Sequence, residues 1–166
     1  IAVVRQKAEV KKDTLIEKTQ HDFILALGDV RDPGNLGTII RIADWFGIAH
    51  IAVSETTTDF YNPKTIAASM GSFTRVSLSY LELVPFLKSI RSIDAPIVGA
   101  VLDGKNIHEG NLPRRGVLLM GSESHGIAEE LTQFITHHVT IPRYGKAESL
   151  NVSVATGILL DALRRA

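Results

Sequence analysis

Short apolar runs that end at turn residues recur along the chain, and a helical pattern fills nearly every interval between them. Phe23–Leu27 stops at Gly28-Asp29, and comparable runs follow at 48–53, 74–78, 97–102, 117–120 and 138–141. These are six candidate strands. Helical patterns occupy 36–46, Pro63–Ser69, 81–91, 128–135 and 150–165. Strands alternating with helices predict an α/β fold, a mostly parallel sheet flanked by helices on both faces. In such folds the strands are buried and only their ends face an open cleft, so ligands bind where an apolar run meets a helix start.

Some boundaries carry their own chemistry. Asn62-Pro63 reads as an N-cap followed by proline at the first helical position, and Asn35 and Ser149 stand where N-caps belong. Residues 104–113 hold Asn, Gly and Pro and read as a surface loop. Residues 1–22 are polar, with Lys7, Lys11, Lys12 and Lys18, and read as an arm or linker remnant without strong periodicity. Residues 23–166 then form the one domain that a chain of 166 residues accommodates. The first residue is Ile1 rather than methionine, which leaves room for a further N-terminal domain.

Composition excludes several classes. Eighteen basic residues balance eighteen acidic ones, so any surface for nucleic acid must be local. With no cysteine there are no disulfides, thiolate metal sites or thiol nucleophiles, and a reducing, cytoplasmic location is the expectation. The six histidines show no metal-site spacing, so no metal is expected. The apolar runs are too short to span a bilayer, and no membrane association is expected.

Three segments at strand–helix junctions could carry chemistry. The first is Asp32-Pro33-Gly34-Asn35-Leu36-Gly37 with Arg41. Gly37 and Arg41 are four residues apart on one helical face, so the missing side chain leaves room beside the guanidinium. Arg41, set among Ile39, Ile40 and Ile42, is either an inward charge with a partner, a group pointing into a cleft, or a surface arginine. The second is Gly121-Ser122-Glu123-Ser124-His125-Gly126, a turn whose amides and glycines suit close approach of a ligand. It is neither the dinucleotide fingerprint nor a P-loop. Glu123 is a natural bidentate partner for Arg41, whereas His125 reads as a turn residue. The third runs from Ile141-Pro142 through Arg143, Tyr144 and Lys146 to Ser149, Leu150 and Asn151. Its helix carries Leu150, Val154 and Ile158 on one apolar face, and the basic pair beside Tyr144 suits RNA contact.

Taken in order, these segments resemble the three signature motifs of the SpoU (TrmH-type) RNA 2'-O-methyltransferases, within the SPOUT superfamily, over roughly residues 23–166. The resemblance implies a five- or six-stranded parallel sheet with a deep C-terminal trefoil knot, the α/β knot, an exception to the rule that chains avoid threading loops. It also implies a homodimer in which S-adenosylmethionine lies bent in the knot, held mainly by backbone groups. The implied cofactor lining is Ala100, Val101 and Leu102 at a strand end, Gly121, Ser122 and Glu123, Ile141 and Pro142, and Ser149, Leu150 and Asn151. The family's catalytic pattern falls on Asn35, Arg41, Glu123, Ser149 and Asn151. A guanidinium gives up its proton only far above neutral pH, so Arg41 is assigned to orienting the ribose or its phosphate and stabilising developing alkoxide charge, with proton abstraction as the alternative. The middle motif departs from its relatives in carrying Ser122 and Ser124-His125 where Asn and a glycine-containing pair are common.

The implied reaction is S-adenosylmethionine-dependent methylation of a ribose 2'-hydroxyl in ribosomal or transfer RNA. The alternatives are a base-directed SPOUT methyltransferase and a non-catalytic RNA-binding SPOUT module. Candidate RNA contacts are Arg31, Arg41, Arg143 and Lys146, with Arg114, Arg115 and the N-terminal lysines as secondary ones.

Overall fold

The computed structural model describes residues 5–109 and 111–166. Residues 1–4 and Gly110, which fall within the expected arm and loop, lie outside the described residues. The elements run α1 (Lys12–Lys18), β1 (Phe23–Leu27), α2 (Pro33–Trp45), β2 (His50–Val53), α3 (Pro63–Ser69), β3 (Ser77–Tyr80), α4 (Leu83–Ser92), β4 (Ile97–Asn106), β5 (Gly116–Met120), α5 (Glu129–Thr132), β6 (His137–Thr140) and α6 (Val152–Arg165). The six strands form one sheet in the order β3-β2-β1-β5-β4-β6, with every pairing parallel. The α/β expectation therefore holds.

Burial explains why the central strands carry no polar alternation. Every residue of Phe23–Leu27 and Gly116–Met120 is buried, because helices cover both faces of the sheet. One core joins Leu25, Leu27, Leu118 and Met120 to Leu36, Ile39 and Ile40 of α2 and Leu159, Leu160 and Leu163 of α6. The other joins Ile24, Ala26, Val117 and Leu119 to Leu15 of α1, Phe86, Leu87 and Ile90 of α4, and Leu131 of α5.

Five local expectations need correction. Lys12–Lys18, within the segment read as lacking periodicity, is helical, because Leu15 gives it one fully buried anchor against the second core. The third strand begins at Ser77 rather than residue 74, since Ser72–Thr74 is a 3-10 turn. The fourth strand continues to Asn106, into the expected surface loop. Its register against β6 breaks, so that Val139 faces both Ala100 and Lys105, and the residues between them leave the ladder as a bulge. Finally, α5 spans only Glu129–Thr132, and α6 begins at Val152.

The strand order reverses direction at β1: the chain moves outward to β2 and β3, crosses to β4 on the other side, and then lays β5 between β4 and β1. Leu27 and Met120, the last residues of β1 and β5, are register partners, and Gly28 N donates to Met120 O (2.9 Å). The first two motifs therefore leave the sheet side by side, in the crevice that such a reversal opens.

Candidate active site

The first motif turns tightly out of β1. Asp29 takes a left-handed backbone (φ 60), and its amide donates to Ser54 Oγ (2.9 Å), which ties this turn to the end of β2. The cap of α2 is Asp32, whose Oδ1 accepts from Asn35 N (2.7 Å); Asn35 is not the cap. Pro33 fixes the position of the cap, because a residue without N–H and with φ already helical belongs at the first helical position, directly after it. Asn35 thus sits in the first turn with its side-chain amide free to reach outward.

That amide finds the second motif. Asn35 Nδ2 donates to Glu123 Oε1 (2.8 Å). The turn bearing Glu123 is closed by Ser122 N to Gly126 O (2.9 Å) and Gly126 N to Ser122 O (3.1 Å), while His125 N donates to Ser122 Oγ (3.1 Å). Gly121 is buried beneath this closure, and a Cβ there would overlap the Gly126 carbonyl group. Glu123, Ser124 and His125 are exposed at its tip.

The third motif arrives from the other side. The cap of α6 is Asn151, two residues beyond the expected Ser149, because its short side chain reaches the first free amides of the helix. Asn151 Oδ1 accepts from Ser153 N (2.9 Å), Val154 N (3.4 Å) and Ser153 Oγ (2.5 Å), and its Nδ2 donates to Asn35 Oδ1 (2.9 Å). Asn35, Glu123 and Asn151, spread over 116 residues of sequence, thus form one hydrogen-bonded group. Ser149 lies nearby in the chain but outside this group, exposed. Ser153, buried beneath the cap, belongs to the network although no motif argument singled it out.

Arg41 behaves differently from expectation. It is exposed and forms no salt bridge among the described residues, so the bidentate pair with Glu123 does not exist. Six residues of helix put it about 9 Å along the axis from Asn35, and the nearer amide takes the carboxylate. The absent side chain of Gly37 serves packing instead: a Cβ would overlap Thr65 O, where α3 crosses α2. Arg31 is paired as well, its Nε donating to Asp29 Oδ1 (2.8 Å), and this hydrogen bond leads in holding the Asp29 carboxyl below its usual range. An exposed pair of this kind exchanges readily for another anion.

The residues of the implied cofactor lining differ in exposure. Ile141 and Pro142 are half-buried, and residues 143–150 are exposed, with Arg143 Nη1 donating to Ala147 O (3.4 Å) as that loop's hydrogen bond among the described residues. Ala100 and Val101 are half-buried and Leu102 is 80% exposed; they lie at the bulge of β4 rather than at a strand end. Arg143, Tyr144 and Lys146 stand in solvent.

The family model for the SpoU rRNA Methylase family matches residues 22–161. The chain belongs to this family. It is 32% identical over 142 residues to the 23S rRNA (guanosine(2553)-2'-O)-methyltransferase RlmP of Bacillus subtilis, an alignment covering 85% of this chain and 57% of that protein. The chain therefore spans little more than half the length of that relative. The AdoMet-bound rRNA methyltransferase from Sinorhizobium meliloti superposes with a TM-score of 0.81 at 37% identity, covering 87% of this chain and 56% of that one. The SpoU methyltransferase AviRb from Streptomyces viridochromogenes, in complex with AdoMet, gives 0.77 at 27% identity over 87% of this chain and 60% of its own.

Proposed function

We propose that residues 23–166 are the catalytic domain of an S-adenosylmethionine-dependent RNA methyltransferase acting on a ribose 2'-hydroxyl, ribosomal RNA being the substrate class that its relatives' names favour. The observation that carries this reading is the convergence of Asn35, Glu123 and Asn151 at the crevice where the strand order reverses. Base methylation by the same fold is the competing outcome, and nucleoside analysis of the methylated product separates the two.

The residues present fit the cofactor. Ala100, Val101, Leu102, Ile141, Pro142 and Leu150 offer partly exposed apolar surface at the same pole of the sheet, and the Gly121–Gly126 turn brings backbone close to it. Apolar walls with backbone donors suit an adenine ring and a few polar edges. Bound there, S-adenosylmethionine supplies an activated methyl group to the ribose oxygen. Arg41, exposed and unpaired among the described residues, orients the ribose or its phosphate and stabilises charge on the attacking oxygen. Glu123 ties the second motif to the first and Asn151 ties the third to the first, both through Asn35, and Ser149 lines the approach. The deep C-terminal knot and a cytoplasmic location belong to this proposal.

A homodimer is part of the same reading. Val154, 50% exposed, shares one face of α6 with half-buried Ile158, Leu150 just before the helix cap is also 50% exposed, and α2 alongside leaves Trp45 84% exposed. Ile42 of α2 lies beside Gly157 of α6, so the two helices are neighbours at this surface. A second copy of the chain is its proposed occupant.

Calorimetric titration with S-adenosylmethionine and S-adenosylhomocysteine tests the cofactor, and transfer of a labelled methyl group to ribosomal RNA fragments tests the reaction. Arg41→Ala is expected to lower transfer by about a hundredfold or more while leaving cofactor affinity within about twofold. Retained turnover removes Arg41 from the mechanism.

A further inference from the structure

The polarity of the Asn35–Glu123–Asn151 network is fixed from one end. Three donors converge on Asn151 Oδ1: the amides of Ser153 and Val154, which α6 leaves without helical partners, and the Ser153 hydroxyl at 2.5 Å. Rotating the Asn151 amide would set its NH2 against those donors, so Nδ2 must face Asn35. Asn35 then has its carbonyl oxygen engaged by Asn151 Nδ2 (2.9 Å), and its own NH2 must face Glu123 (2.8 Å). Rotating Asn35 would set a carbonyl against a carboxylate. Each amide thus has one allowed orientation, and the series of donors ends at Glu123 Oε1.

We propose, building on the methyltransferase reading, that Ser153 is a positioning residue for the transfer site: with the cap amides of α6 it locks the Asn151 and Asn35 amides, so that Glu123 is held by one oxygen and presents the other as a fixed acceptor in the crevice. Ser153 is buried and, among the described residues, its side-chain hydrogen bond is to Asn151, which separates its role from that of a residue contacting substrate. The Ser153 hydroxyl is the one donor of the three that substitution can remove without disturbing the backbone. The Glu123 oxygen opposite Asn35 accepts no hydrogen bond among the described residues, which leaves it available to a ribose hydroxyl.

Two variants separate this role from simple capping. Ser153→Ala removes one donor and leaves both cap amides bonded. Asn151→Asp keeps an excellent cap and removes the donor to Asn35, which must then rotate and turn its carbonyl toward Glu123. Turnover is expected to fall about fivefold in Ser153→Ala and about a hundredfold in Asn151→Asp, with the thermal midpoint close to wild type in both and the calorimetric affinity for S-adenosylmethionine close to wild type in Ser153→Ala. The relay itself is read independently from the side-chain amide signals of Asn35 in 15N-resolved NMR spectra, which should shift in both variants. The double variant Asn151→Asp with Glu123→Gln, in which every donor again meets an acceptor in the reverse direction, should regain ordered amide signals and remain inactive. Wild-type turnover in Asn151→Asp, recovery of turnover in the double variant, or losses that track thermal stability would each overturn the positioning role. Wild-type protein that binds no S-adenosylmethionine would overturn the enzymatic reading itself and the positioning role with it, whatever the amide signals show.

Discussion

Two single residues show how narrow the tolerances are away from the reacting groups. Gly121 is buried under the turn that carries Glu123, and any side chain there meets the backbone of Gly126 rather than a yielding side chain. Gly121→Ala is therefore expected to open the Ser122–Gly126 closure, to destabilise the fold by about 1–3 kcal/mol and to weaken cofactor binding together with stability. Thermal melts and calorimetry on the same preparation check this; unchanged binding would show that the turn can reclose around a methyl group. His50 is a different case, at the start of β2. Its Nδ1 is buried with no hydrogen-bond partner, and burial, followed by the nearby charges of Lys18 and Lys7, pushes its pKa below the ordinary histidine value. The folded protein thus holds it neutral, while the unfolded chain takes up a proton near pH 6.5. The unfolded state binds more protons below that point, so this contribution to stability is complete above pH 6.5 and is lost as pH falls toward the depressed folded value. His50→Leu should flatten the decline in denaturation midpoint between pH 7 and 5.5 relative to wild type, and parallel curves would refute the assignment.

Among the elements, α1 and α6 carry information that pattern reading alone did not supply. A seven-residue helix with one apolar anchor leaves little periodicity to detect, yet Leu15 is fully buried against the second core. Leu15→Ala should cost about 2–4 kcal/mol, measured by urea denaturation, whereas loss of a merely tethered arm would cost almost nothing. In α6, the face read as apolar from Leu150, Val154 and Ile158 is not the core face; Val152, Thr156, Leu159, Leu160 and Leu163 are buried instead. A helix with apolar residues on both sides fits one that meets the sheet on one side and another molecule on the other. Val154→Asp should shift the sedimentation profile toward monomer with α6 intact by circular dichroism, and an unchanged oligomer would place the interface elsewhere.

For the whole molecule, the architecture was legible wherever burial on both sheet faces leaves an uninterrupted apolar run, as in β1 and β5, and wherever a proline marks a helix start. What the sequence concealed depends on pairing over distance. The return of Lys105 and Asn106 to β6 is a register event set by Val139 and Thr140, and polar residues in an apparent loop give no sign of it. The choice of Asn35 over Arg41 by Glu123, across 88 residues, is decided by helix phase and reach rather than by charge. Charge returns at the scale of the RNA surface. Net charge is zero, so nonspecific attraction is weak and the proposed RNA contact would rest on local cations, with Arg41, Arg143 and Lys146 exposed and Arg31 held by an exposed pair. If all of these meet phosphates of a single-stranded segment, each adds about 0.7 to the slope of log affinity against log salt, giving at most about −3 per chain. Arg143→Glu with Lys146→Glu should then weaken binding of a labelled ribosomal RNA fragment by tenfold or more and reduce that slope by about 1.4, with S-adenosylmethionine affinity unaffected. A loop that does not touch RNA would leave both affinity and slope where they were, and the path of the strand would have to be sought along Arg114 and Arg115 at the opposite pole of the sheet.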